Sequence, residues 1–180
     1  SLLPKQQTTL PAACKRTNSN SIEKVVMHYP TEVDFIKNFN HAATVNRYET
    51  INTIPDAYNT GFVKLMDLQQ AYSREAPRFL IESWLMQFAL YTGLPVNKEQ
   101  IKELAFYMYE ELFMLNLAEL NLFFKYLKKG KYGSFYGRID PAELLRWCRE
   151  YRKERGEYIC KLPSYYESEE LRKSREEYQK

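Results

Sequence analysis

Cysteine and glycine are both scarce in this sequence, with three and six residues in 180. Cys14, Cys148 and Cys160 are odd in number and form no CxxC pair, so neither a disulfide framework nor a thiolate zinc site is indicated. A reducing compartment fits that usage. No apolar run reaches the roughly 18 residues that a membrane helix needs, and the first residues lack a charged-then-apolar signal pattern. The expected location is the cytoplasm, with no membrane contact. Motifs of the form GxxxxGK[ST] or GxGxxG are missing too, which removes the main sequence support for nucleotide hydrolysis and dinucleotide chemistry.

Catalytic groups are equally thin. The two histidines, His28 and His41, lie in the N-terminal third, away from the strong helical signals, and no metal site is expected there. Cys148 falls on an apolar helical stripe and reads as a core residue, since a nucleophilic thiolate needs an accessible, electropositive setting. Glu110, Glu111 and Glu119 would be the nearest thing to paired carboxylates, but helix capping and solvation account for them. The expectation is a protein that is not an enzyme and carries no cofactor.

What is present is an ordinary globular balance, 44% apolar and 27% charged, in a chain long enough to bury a core without metal or disulfide support. Aromatic residues reach 15%, and fifteen of them are tyrosine, a side chain suited to surfaces that are half buried and half wet. The net charge of +3 is too small to imply a nucleic acid by itself, but it is unevenly spread. Between Lys125 and Arg155 ten cations face four acids, leaving that segment at about +6 and the remainder at about −3.

Residues 1–21 are polar, include Pro4 and Pro11, show no period, and read as a flexible arm. Residues 22–60 read as a weakly structured extension with one short helix, capped by Thr31 and carrying Val33, Phe35, Ile36 and Phe39, before an Asn- and Thr-rich stretch. From 61 to 156 the signals strengthen into a helical domain. Phe62, Leu65, Met66 and Gln69 share a face of a helix entering from Gly61, and Pro77 marks a break. Ile81, Trp84, Leu85 and Phe88 stripe the next helix, which stops at Gly93 with Pro95 just beyond. Asn97 with Gln100 forms a capping box before Ile101, Leu104, Ala105, Met108 and Leu112. Phe106, Tyr109 and Phe113 widen that stripe, which puts this helix at the bundle centre.

Asn116 with Glu119 repeats the box ahead of Leu117, Leu120, Phe124 and Leu127, ending at Gly130. Asp140, Pro141 and Glu143 then supply N-cap, N1 and N3 of a helix bearing Leu144, Leu145, Trp147, Cys148 and Tyr151 and closing at Gly156. The tail over 157–180 is charged, with Leu171 as the one aliphatic residue after Pro163, and is either a solvated helix opening at Ser168 or disordered. The expected fold is all-α, a compact bundle of four or five helices.

Two features stand out as binding candidates. The segment KKGKYGSFYGRID interleaves Lys128, Lys129, Lys131 and Arg138 with Tyr132, Phe135 and Tyr136, so its glycines would let backbone approach a phosphate while its rings stack on bases. The plainer reading is a turn whose aromatics plug the bundle end. The following helix N-terminus is already satisfied by Asp140, so any phosphate contact must come from side chains. The second candidate is the helix face carrying Arg146, Arg149, Arg152 and Lys153, which suits a nucleic-acid backbone or an acidic protein surface. Its plainer reading is a solvated face neutralised by Glu143, Glu150 and Glu154. With Lys125, Lys128 and Lys129 the stripe would become a patch.

The positions Gly130, Lys131, Tyr132, Gly133, Tyr136, Ile139, Asp140, Tyr151 and Arg155 form a pattern of helix, Gly-Lys-Tyr-Gly turn, second aromatic, Ile-Asp, and a helix closing in Tyr and Arg. In this the stretch from about Asn97 to Arg155 resembles a family of uncharacterised proteins from Bacteroidetes and their phages and conjugative elements. Its helical layout also looks like that of small phage proteins that load or modulate a replicative helicase. The resemblance implies a phage or mobile-element origin and no activity; taken with the basic helix and the loop, the leading expectation is a non-enzymatic adaptor of phage or mobile-element DNA metabolism in a bacterial host cytoplasm or a virion, contacting nucleic acid, an acidic protein surface or a replication protein. The alternative is a protein-only module, an inhibitor of a host enzyme or a virion component, built on tyrosines and the N-terminal arm.

Overall fold

Six helix starts are written into short polar side chains that accept an otherwise unpaired backbone N–H: Thr31, Asn40, Thr53, Asn97, Asn116 and Asp140. In the structure, a computed structural model that describes residues 21–60 and 62–178, the chain is helical throughout. α1 spans residues 21–28, followed by α2 (Glu32–Asn38), α3 (His41–Arg47), α4 (Ile54–Asn59) and α5 (Leu65–Ala71). The longer helices are α6 (Ala76–Thr92), α7 (Lys98–Leu112), α8 (Leu117–Lys128), α9 (Pro141–Ile159) and α10 (Pro163–Tyr178). No strand occurs among the described residues, where a lone antiparallel bridge joins Lys64 to Asn116.

The core is organised around α8. Every residue from Leu115 to Phe124 is buried, including Glu119 and Asn121. α3, α4 and α6 pack against α8, α7 packs on α6 and α9, and Tyr151 of α9 meets Phe123 edge-on. Burying a large apolar side chain is worth about 1.5–3 kcal/mol, so Trp84, Phe88, Phe123 and Phe124 together supply a large part of the driving force. The Trp84 indole N–H donates to the Phe39 carbonyl at 2.9 Å, which ties α6 to the end of α2 without leaving a polar atom stranded.

The fold class is all-α, as the sequence indicates, but ten helices occur among the described residues rather than four or five. The excess lies mostly in residues 22–60. That stretch, expected to hold one short helix, forms the described part of α1 and all of α2, α3 and α4, and it puts Val25, Phe35, Phe39, Tyr48, Ile54 and Ala57 into the shared core. Its helices run to no more than about two turns, too short to display a period, and packing rather than propensity sustains them. The expected arm over 1–21 lies outside the described residues apart from Ser21, and so does Gly61.

Other details differ as well. α5 buries Leu65 and Leu68, while Phe62 and Met66 face outward. The break expected at Pro77 falls just before it, between Ala71 and Ala76, and Pro77 itself sits in the first turn of α6, where its missing N–H costs nothing. Asn97 caps α7, but no reciprocal bond from Gln100 completes a box. The centre of the bundle is α8 and not α7, whose Phe113 is exposed. Gly156 does not end α9, which runs through it to Ile159. The tail is helical from Pro163, with Ser168 inside the helix bonding back to the carbonyls of Ser164 and Tyr165.

Candidate functional site

Packing α7 against α9 decides what happens to the cationic stripe. Glu111 at the end of α7 faces α9, and its two oxygens receive Arg149 at 3.5 Å and Arg152 at 2.6 Å. Arg146 pairs one turn back with Glu143 at 2.8 Å, and Lys131 pairs with Glu154. Lys125 donates to the carbonyls of Ile51 at 2.7 Å and Glu49 at 3.2 Å and to Asn52 Oδ1, so it closes the α3–α4 loop. Desolvation lowers its ammonium pKa. Lys128, also desolvated and lowered, lies over the Tyr91 ring at 4.7 Å. Among the described residues, neither Lys125 nor Lys128 makes an ion pair, and Lys129, Arg138 and Lys153 make neither an ion pair nor a side-chain hydrogen bond.

The Gly-Lys-Tyr-Gly turn is built into the fold. Gly133 adopts φ +142°, and a Cβ there would stand 3.1 Å from the Trp147 ring, so only glycine lets the turn close onto α9. Tyr132 stacks on Trp147 at 6.5 Å and donates its hydroxyl to Glu154 Oε1 at 3.1 Å. Burial first, and the Glu154 carboxylate second, push that phenol well above its ordinary range. Phe135 packs on Trp147 at 4.6 Å and on Phe88 at 6.3 Å. Tyr136 is the exception, 89% exposed at the outer edge of the loop between Lys129 and Arg138.

The remaining chemistry candidates are internal. His41 is 3% exposed between Trp84 and Phe124, at 4.9 and 5.1 Å, and neither ring nitrogen has a hydrogen-bond partner. Desolvation, with a smaller contribution from Lys128, holds its pKa down at about 3. Cys148 is fully buried and its thiol pKa is raised by desolvation. Among the described residues no group of three or more His, Cys, Asp or Glu side chains is gathered as a metal site would require.

A surface that the sequence reading did not single out lies on α6. This helix buries Leu80, Ile81, Trp84, Leu85 and Phe88 on one side, yet Phe79, Met86 and Leu90 form a second apolar stripe opposite, spaced 7 and 4 residues apart. Phe79 is 44% and Leu90 78% exposed. Phe79 and Met86 of that stripe, with Val33 (58% exposed) and Ile36 of α2 and Phe106 of α7, line two adjoining grooves of about 600 and 520 Å³ that share Phe79, Glu82 and Lys102, while Leu90 lies outside both. Five glutamates line them, Glu32, Glu75, Glu82, Glu99 and Glu103, against Arg78 and Lys102. A helix apolar on both sides was the available signal.

Residues 93–172 match DUF6633, a family of unknown function. The match takes in α7, the Gly-Lys-Tyr-Gly turn, α8, α9 and most of α10, less than half of the chain. No curated protein and no solved structure matches. No helix among the described residues is long and apolar enough to cross a membrane.

Proposed function

We propose that this chain is a non-enzymatic binding protein whose partner is a protein seated in the trough between α2, α6 and α7. The observation that carries the reading is the apolar floor of that trough, where Phe79 and Val33 stand exposed beside the half-buried Met86, Ile36 and Phe106. Monomeric surfaces rarely keep contiguous apolar patches without a use for them, because each exposed ring retains most of its hydrophobic driving force. This belongs to the protein-only class of module, with an interface on α6 rather than on tyrosines. Cross-linking in nuclease-treated host lysate tests it: wild type should retain a defined partner that the Val33→Ser, Phe79→Ser double variant loses. Equal capture by both proteins overturns the reading.

A second reading, contact with nucleic acid in phage or mobile-element DNA metabolism, is favoured by Tyr136 standing exposed in the same α8–α9 connection that carries Lys129 and Arg138. Reversing Lys129, Arg138 and Lys153 to Glu should then abolish single-strand or duplex DNA binding that weakens with salt. Wild type showing no binding at low salt rules it out.

A further inference from the structure

The trough has a sign as well as a shape. Of the two cations on its walls, Arg78 is already committed, bonded to Glu75 at 3.1 Å and lying over the Phe106 ring at 4.2 Å. Glu82 and Glu99 have no ion pair among the described residues, and Glu103 only accepts the Tyr107 hydroxyl. Glu32 uses one carboxylate oxygen to accept from Ser73, while its other oxygen, shielded from solvent, has no hydrogen-bond partner. An acceptor in that state is unsatisfied until a donor arrives. The floor is apolar through Phe79 and Met86 of α6, seven positions and so about 10 Å apart along the helix, the length of roughly two turns of an apposed helix, and it is widened by Val33 and Ile36 of α2 and Phe106 of α7.

Resting on the docking reading above, we infer that the occupant is a cationic amphipathic helix of a partner protein, its apolar side chains on Phe79, Met86 and Val33 and its lysines or arginines against Glu82, Glu99 and Glu103. The apolar stripe supplies the anchor and the acidic walls select the charge. An acidic helix would bring like charges together in a groove partly screened from water, which costs more than on an open surface.

The test uses the full chain and two labelled synthetic peptides of roughly 14 residues, both with leucines at helical spacing, one flanked by lysines and the other by glutamates. Fluorescence anisotropy should give saturable binding of the lysine peptide alone. That binding should weaken about tenfold or more between about 0.05 and 0.3 M salt. A similar loss is expected in Glu82→Lys, Glu103→Lys and in Phe79→Ser, with helical circular dichroism unchanged. Equal binding of both peptides, lost in Phe79→Ser but untouched by charge reversal, overturns the inference and leaves the docking reading standing. No binding of either peptide overturns the inference, and the cross-linking experiment then decides the docking reading separately. Two further outcomes also overturn it. One is self-association abolished by Phe79→Ser, which makes the occupant a second copy. The other is tighter peptide binding when Lys5, Lys15 and Arg16 are changed to Glu, which makes it the chain's own N-terminal segment.

Discussion

Arg155 Nε donates to Glu119 Oε1 across 2.6 Å, while the other oxygen of the same carboxylate accepts the backbone N–H of Asn116 at 2.9 Å. Glu119 is therefore a helix cap and an ion-pair partner at once, inside the core. Asn116 in turn donates its amide to the carbonyls of Ala57 and Tyr58, and Arg155 lies over the Tyr58 ring at 5.2 Å. One polar cluster thus fastens α4, α8 and α9 together. Such a cluster is costly to break by halves, because a lone buried charge keeps its desolvation penalty and loses its compensation.

Arg155→Met should accordingly lower stability by about 3 kcal/mol or more, read from the urea midpoint. Adding Glu119→Gln, which keeps an acceptor for Asn116 and removes the orphaned charge, should recover part of that loss. A double variant no more stable than the single one would show that the pair is not the source of the effect.

His41 gives the protein a built-in acid sensitivity. Its folded pKa of about 3 lies below the ordinary 6.5, so between those values the unfolded chain binds a proton that the folded chain refuses. Stability contributed by the neutral ring is full above pH 6.5, declines as pH falls towards 3 at about 1.4 kcal/mol per pH unit, and levels off below. His41→Phe keeps a ring between Trp84 and Phe124 and should remove this component, leaving only the carboxylate contribution. Parallel stability curves for the two proteins from pH 7 to 4 would contradict the assignment.

The turn glycines should respond unequally to alanine. Gly137, at φ +74° with open space around it, should lose only the left-handed backbone cost of about 1–2 kcal/mol. Gly133→Ala adds a collision with Trp147, so its thermal midpoint should fall further than that of Gly137→Ala.

Gly156 offers the opposite sign. It lies within α9, and a Cβ there meets nothing within 4 Å. Gly156→Ala should raise stability by about 0.5–1 kcal/mol by restricting the unfolded chain and favouring the helix, visible as a higher urea midpoint at unchanged slope.

The sequence was most legible where a cap and a long apolar stripe coincide. Asn116, Asp140 and Gly93 marked helix ends that the structure reproduces, and the buried faces of α6, α8 and α9 follow the i, i+3, i+4 spacing. It was least legible in α3 and α4, whose seven and six residues bury only His41, Thr44, Ile54 and Ala57 and read as loop in isolation. The cationic stripe was correctly placed on α9, but its partner Glu111 lies some forty residues earlier on α7, a pairing that only the tertiary arrangement reveals. The outer stripe of α6 was hidden for a different reason. Once Ile81, Trp84, Leu85 and Phe88 had explained the helix, its remaining apolar residues drew no second question.

The covering of α8 bears on where this protein can be cut. The family match begins at residue 93, yet α3, α4 and α6, which sheathe α8, all come before it. The edge of the matched stretch therefore runs through the middle of one packed body. Produced alone, the piece 93–172 would display the flank of α8 to water, and it should melt without a sharp transition, whereas the whole chain should unfold in one sharp step.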